Sequence, residues 1–113
     1  MILSSPLREP ESIMLHLLSL HYTAPEQAAE PFIPGHIAYL ERHHQDGTFL
    51  LSGQTVPTSI GGVIIAHGVD RSTIERITAQ DPFVTNNVAD YSITTITPGR
   101  CHPALSEVLT PGC

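Results

Sequence analysis

The chain has 113 residues, of which 41% are hydrophobic and 14% are charged, so it is long enough to bury one core and lies far from the composition of disordered chains. Its net charge is -6, and its five basic residues are all arginines that are spread along the sequence without a cluster. This distribution argues against nucleic acid and anionic membrane surfaces as partners, and the absence of lysine excludes Schiff-base catalysis.

The composition divides the chain into three parts. Residues 1–12 are predicted to be an N-terminal extension, residues 13–97 the folded domain, and residues 98–113, which are rich in proline and glycine, a C-terminal tail. The N-terminal run does not resemble a signal peptide, and no apolar stretch reaches the roughly 18 residues that would cross a bilayer. We therefore expect a soluble, cytoplasmic protein.

The two cysteines, Cys101 and Cys113, both lie near the C-terminus. Neither belongs to a pair with zinc-finger spacing, so both are predicted to be reduced thiols, as is usual in the cytoplasm. The alternative is a disulfide that closes a short loop of the tail.

The first half of the domain predicts a strand followed by a helix. Residues 13–22 are nearly all apolar and form the strand, with polar positions at His16, Ser19 and His21. In the turn-rich segment that follows, Pro25 can start a short helical turn and Pro31 is expected to end it. The helix is predicted over residues 34–46, with an apolar stripe at Ile33, Ile37 and Leu40 and with Gly47 as the residue after its end.

The second half predicts two strands, a helix and a final strand. Residues 48–54 and 61–67 are the two strands, which a short link joins into an antiparallel pair. The helix begins after Asp70 or Ser72, of which the latter matches a capping box with Glu75, and it buries Ile74 and Ile77. Two further elements follow: a short helical turn that Asp81 caps and Pro82 begins, and a β-branched strand over residues 88–97.

This order, βαββαβ, is that of an α+β, ferredoxin-like fold in which a four-stranded antiparallel sheet carries two helices on one face. The other face of the sheet has apolar residues and no helix to cover it. Pairing two such faces would produce a dimeric α/β barrel, so a homodimer or a higher homo-oligomer is expected.

Several short motifs in a fixed order extend over residues 14–97. They are PGHIAYL at 34–40, DGTFLLSG at 46–53, GVII at 62–65, DPFV at 81–84, and Asp90-Tyr91. In this order and spacing the chain resembles the YCII-related family, a likeness that extends to a hydroxyquinone dehydrochlorinase and, more remotely, to muconolactone isomerases. The resemblance implies a ferredoxin-like dimer with a pocket near the sheet and with His36 and Asp81 as the active pair.

A histidine beside a carboxylate can act as a general acid or base, because the carboxylate fixes the tautomer and the orientation of the ring. His36 and Asp81 are therefore the candidate catalytic residues. The alternative is that His36 only packs against the core and that Asp81 only caps the turn before Phe83. The candidate ligand-binding residues are Ser52, Gly53, Tyr39 and Tyr91. The alternatives are that Ser52 and Gly53 are only the end of a strand that turns into a loop, and that Tyr91 packs against a dimer partner.

The seven histidines do not form a recognised metal-binding pattern, since no HxxxH or HExxH occurs. His43 and His44 should point to different sides of their helix, and His16 and His21 to opposite faces of their strand. No metal and no cofactor are therefore predicted. The sequence favours a lyase- or isomerase-like enzyme that acts on a small cyclic or aromatic metabolite, and the alternative is a non-catalytic dimeric module that binds a small ligand or regulates.

Overall fold

The computed structural model describes residues 14–109. Its elements follow the order strand, helix, two strands, helix, strand, with three short helical pieces added. The strands are β1 (Leu15–Tyr22), β2 (Phe49–Gln54), β3 (Gly61–His67) and β4 (Ala89–Ile96), and the helices are α1 (Ile33–Gln45), α2 (Arg71–Thr78), α3 (Pro82–Thr85) and α4 (Pro103–Ser106), with a 3-10 helix over Glu26–Phe32. The predicted extension over residues 1–12 lies outside the described residues, and the domain boundaries at 12/13 and 97/98 stay predictions.

The four strands form one antiparallel sheet in the order β2-β3-β1-β4. β1 and β3 lie in the middle, where Leu18 of β1 is opposite Ile64 of β3 and Ile93 of β4. The ferredoxin-like α+β fold and the antiparallel pairing of β2 with β3 are thus confirmed.

The main core lies between the sheet and the helices. Alternate residues of β1 point into this core, so His16, Leu18 and Leu20 are buried. Ser19 and His21 point to the other face of the sheet and are exposed. His16 satisfies both of its ring nitrogens, with Nδ1 at 2.8 Å from the Thr95 hydroxyl and Nε2 at 2.8 Å from the Val69 carbonyl. As predicted, His16 and His21 lie on opposite faces, and His16 is a hydrogen-bonded core residue.

The opposite face of the sheet carries apolar side chains that no element of the described residues covers. Leu51 is 61% exposed, Ile96 42% and Val63 41%. Leu17 and Ile65 stand opposite each other at the centre of this face and are only half-buried. We call this surface the open sheet face.

The helix ends follow local rules, with two departures from the sequence-based expectations. Asp70 caps α2 by accepting a hydrogen bond from the Thr73 N–H at 2.9 Å, whereas Ser72 donates to Asp70 and forms no capping box. Pro31 does not end the first helical turn but lies inside the 3-10 helix, because a proline there costs only the hydrogen bond that its own nitrogen would donate. Gly47, which follows the C-cap residue Asp46 of α1, adopts a φ of 85°, as expected of a glycine at this position.

The predicted apolar stripe of α1 is confirmed at Leu40, which packs against the main core, and is wrong for its other two residues. Ile33 and Ile37 are 41% and 46% exposed, and the residues that α1 buries are Tyr39 and His43. Helical periodicity detects an apolar face but does not say what that face meets. Here the isoleucines line a cavity, whereas aromatic rings fill the core.

The tail contains the short helix α4 rather than irregular chain alone. Cys101 is disulfide-bonded, so the expectation of a reduced thiol at this position is wrong, and Cys113 lies outside the described residues. None of the helices in residues 14–109 has the length and apolar character needed to cross a membrane.

Candidate active site

The candidate site begins where α1 meets the turn that precedes α3. Gly35 lies in the first turn of α1, and a β-carbon there would be 3.1 Å from Cγ of Pro82. A side chain at this position would hold the two elements apart. The glycine therefore permits the close approach that brings His36 next to Asp81.

His36 and Asp81 form a direct pair. Nδ1 of His36 lies 2.9 Å from Oδ1 and 3.0 Å from Oδ2 of Asp81. The Asp81 side chain is fully buried, while 15% of the His36 side chain is exposed. A carboxylate only accepts hydrogen bonds, so Nδ1 carries the proton and the other ring nitrogen, Nε2, is left as the acceptor of a neutral imidazole.

Two further donors hold Asp81 in place. Its Oδ1 accepts from the N–H of Phe83 at 2.9 Å, which caps α3, and its Oδ2 accepts from the hydroxyl of Tyr91 at 2.6 Å. The carboxylate thus receives hydrogen bonds from α1, from its own turn and from β4. It is both the N-cap and the partner of His36, so the two roles that the sequence analysis treated as alternatives coexist.

Two tyrosines, Tyr39 and Tyr91, lie in the core near Asp81. The pKa of Tyr91 is raised by its burial and by the nearby Tyr39 and Asp81. Burial also raises the pKa of Tyr39. Both phenols therefore stay protonated over the physiological range. The Tyr39 hydroxyl is buried and makes no hydrogen bond of normal distance and angle within the described residues, although it lies close enough to influence Tyr91.

Aromatic packing fixes the plane of the His36 ring. The ring lies almost parallel to that of Phe83, with centroids 4.0 Å apart and an angle of 5° between the planes. Phe83 is itself buried. The imidazole is therefore held by stacking on one side and by Asp81 at its edge, which leaves it little rotational freedom.

A cavity of about 940 Å³ lies beside His36. It is bounded by the 3-10 helix, the first turns of α1, the end of β2 and the start of β3, and its walls include Leu20, Tyr22, Glu26, Glu30, Ile33, His36, Ile37, Leu40, Ser52, Gly53, Gln54, Ser59, Ile64 and Phe83. Asp81 is not part of the wall. The order from the inside outward is thus Tyr91, Asp81, His36 and then the cavity.

A family model, the YCII-related domain, matches residues 14–97, which is most of the chain. The chain belongs to the YCII-related family. The comparison with curated proteins found no match.

Among solved structures, this YCII-related chain is similar to 5-chloro-2-hydroxyhydroquinone dehydrochlorinase (TftG) from Burkholderia phenoliruptrix in complex with 2,5-dihydroxybenzoquinone. The two share 14% identity over 72% of this chain and 90% of that chain, with a TM-score of 0.59. A cofactor-independent oxygenase, SnoaB from Streptomyces nogalater, shares 14% identity over 80% of this chain and 96% of that chain, with a TM-score of 0.45. At these identities the likeness to the dehydrochlorinase establishes the fold, and the likeness to SnoaB carries no further argument.

The other predicted site residues fall into two groups. Ser52 and Gly53 line the cavity, and the Ser52 hydroxyl lies 2.9 Å from Nε2 of His44. Tyr39 and Tyr91 do not line it, since both point into the core behind Asp81. Within residues 14–109 no group of three or more potential metal ligands occurs.

Several residues of the cavity wall were not among the predicted site residues. Ile33 and Ile37 were predicted only as part of the apolar stripe of α1, and Tyr22, Glu26, Glu30 and Phe83 were not predicted as site residues. The signal that could have indicated them is the turn-rich segment between β1 and α1. A connection of this length beside a predicted active helix is a common place for ligand contacts.

Proposed function

We propose that this YCII-related protein is an enzyme that moves a proton to or from a small cyclic or aromatic metabolite bound in the cavity beside His36. The observation that carries the proposal is the hydrogen bond between His36 Nδ1 and the buried Asp81, which leaves Nε2 of a cavity-lining imidazole as the acceptor. The cavity combines apolar side chains such as Leu20, Ile33 and Ile37 with polar groups that can orient a ligand, as small-molecule sites do.

The chemistry follows from the tautomer. Nε2 accepts a proton from a phenolic hydroxyl or from a carbon next to a carbonyl, while Asp81 stabilises the imidazolium that forms. Return of that proton to another atom of the substrate is an isomerisation. If a leaving group departs from the neighbouring carbon instead, the reaction that begins with the same proton transfer is an elimination, which is a lyase reaction.

A direct test uses ring C–H exchange in D₂O. The ring hydrogens of 1,3,5-trihydroxybenzene exchange through its keto tautomers, and proton NMR follows their loss. We expect the protein to accelerate this exchange and His36→Ala to lose most of the acceleration, about 100-fold or more for a general base. His102→Ala is the matched control, since His102 does not line the cavity and should keep the wild-type rate.

The outcomes separate the enzyme from a non-catalytic binding module. Equal exchange rates in wild type and His36→Ala would contradict the proposal. Binding of phenols without any acceleration of exchange would favour the module.

We also propose that the protein forms a homodimer through the open sheet face. Leu51 and Val63 lie on this face with 61% and 41% of their surface exposed, and large contiguous apolar patches are uncommon on monomers. Leu51→Asp should shift sedimentation equilibrium from dimer to monomer, because it would bury a charge in the interface. Val56→Asp, at a loop position that is 97% exposed, is the control that should leave the assembly unchanged. A wild-type protein that sediments as a monomer at all concentrations would contradict this assembly.

A further inference from the structure

Two carboxylates line the same cavity as His36. Glu26 and Glu30 lie four residues apart on the 3-10 helix, Glu26 half-buried and Glu30 exposed. Neither has an ion pair or a side-chain hydrogen bond among the described residues, where the three salt bridges are His36–Asp81, His43–Asp46 and Arg71–Glu75.

No positive side chain of the described part of the chain offsets them in the wall. The chain has no lysine, and none of the four arginines in the described range (Arg42, Arg71, Arg76, Arg100) lines the cavity. Among residues 14–109 the only basic group in the wall is His36, whose positive form is already matched by Asp81 behind it. The cavity is therefore negative when its ligand enters.

Tyr22 lies in the same wall as Glu26, close enough for the two groups to interact electrostatically. Its side chain lines the wall, and its pKa is raised by burial first and then by the carboxylates of Glu26 and Asp81. A negative group that disfavours a phenolate in the wall would disfavour an anionic ligand beside it.

We propose that Glu26 and Glu30 make the cavity select its ligand by charge, so that it accepts cationic and uncharged ring compounds and rejects those that carry a carboxylate or a phosphate. This rests on the proposed function and narrows its substrate class. Selection of this kind works by placing an unpaired charge against the wrong ligand. An exposed carboxylate changes the affinity for a charged ligand by about two- to fivefold, so two of them separate a cation from an anion by roughly tenfold or more at low salt.

The presence of Glu26 also has a purely structural explanation, since it lies in the first turn of the 3-10 helix, where negative charge stabilises the helix start. That role would affect only the free energy of unfolding. Charge selection predicts a change in ligand preference, which a stabilising charge would not alter.

The experiment uses three phenols of matched shape: 4-hydroxybenzylamine, 4-hydroxybenzyl alcohol and 4-hydroxybenzoate. Their Kd values are measured at pH 7 and low salt by ¹H–¹⁵N NMR titration, with the ring signals of His36 followed in parallel. We expect the amine to bind about tenfold or more tightly than the carboxylate, with the alcohol between them. In the double variant Glu26→Gln, Glu30→Gln this ratio should fall to within about twofold, and 0.5 M NaCl should reduce it in the wild type.

Glu41→Gln is the matched control, since Glu41 is exposed on α1 and does not line the cavity, and it should keep the wild-type ratio. Equal binding of the three phenols with shifts at His36 would overturn charge selection and leave the proposed function standing. If none of the three binds at millimolar concentration, the ligand cavity and this proposal both fail. A double variant that loses stability but keeps the wild-type ratio would also overturn it.

Discussion

The hydroxyl of Tyr91 donates to Oδ2 of Asp81 at 2.6 Å and so connects a core-facing position of the edge strand β4 to the residue that holds His36. Through this bond the sheet fixes the position of a carboxylate that belongs to a turn. Turns are usually more mobile than the strands beside them, so a site that needs a fixed orientation gains from such an anchor.

Tyr91→Phe should therefore weaken both the fold and the site. Loss of a buried hydrogen bond to a charged acceptor costs about 1.5–3 kcal/mol in the free energy of unfolding, which urea denaturation measures. Tyr22→Phe is the control, because the Tyr22 hydroxyl makes no side-chain hydrogen bond within the described residues, and it should change stability by less than about 0.5 kcal/mol. Equal losses in the two variants would show that the bond contributes little.

Asp81→Asn should change the tautomer of His36. In the wild type Nδ1 bears the proton and donates to the carboxylate, whereas an amide in the same place presents one oxygen to three donors. We expect the imidazole ¹⁵N shifts to report an Nδ1–H ring in the wild type and a mixture or the Nε2–H ring in the variant. The variant should also lose about 2–4 kcal/mol of stability, since buried donors are left unsatisfied. An unchanged tautomer would contradict the assigned role of Asp81.

All three tyrosines should resist ionisation in the native protein. The pKa of each is raised above the ordinary value of 10.0, with burial as the largest cause for Tyr22, Tyr39 and Tyr91. At pH 10 the absorbance at 295 nm should therefore show much less than half of the tyrosinate signal that the protein gives in 6 M guanidinium chloride.

The same shifts predict how stability depends on alkaline pH. Because the folded pKa values lie above the unfolded ones, the folded state keeps these protons more tightly, so the contribution of the tyrosines to stability is constant below about pH 10 and is lost as the pH rises beyond it. Tyrosinate absorbance should consequently appear together with the loss of far-UV circular dichroism. Native protein that titrates like free tyrosine would disprove the buried arrangement.

Gly35→Ala should disturb the contact between α1 and α3. Alanine favours a helix over glycine by up to about 1 kcal/mol, but overpacking costs about 1–3 kcal/mol, and the new β-carbon would lie 3.1 Å from Pro82 Cγ. We expect the cost to prevail, with a net loss of about 1 kcal/mol and a marked drop in C–H exchange activity. Gly53→Ala is the control, since nothing lies within 4 Å of its added β-carbon, and its stability should change little. A stabilised Gly35→Ala variant with full activity would show that the two elements have room to move apart.

Much of this protein can be predicted from local patterns. The alternation of apolar residues around Leu18 specifies a strand with one buried face, because side chains alternate across a strand whatever its neighbours are. Asp81 followed by Pro82 specifies a helix start, since the cap and the fixed φ act within three residues. The pairing of His36 with Asp81 was suggested by resemblance to the YCII-related family, and the structure places their atoms 2.9 Å apart.

Only the tertiary structure determined which neighbours each face of a helix or strand packs against. Ile37 and Tyr39 are neighbours on one helix, yet Ile37 lines the cavity and Tyr39 fills the core, because the sheet approaches α1 from one side and the 3-10 helix from another. Tyr91 is likewise a strand residue by its pattern, and only the register that sets it opposite Leu20 turns its hydroxyl toward Asp81, 10 residues earlier in the chain. Period and propensity act over a few residues, whereas the cavity and the hydrogen bonds around Asp81 depend on contacts between segments that the sequence keeps apart.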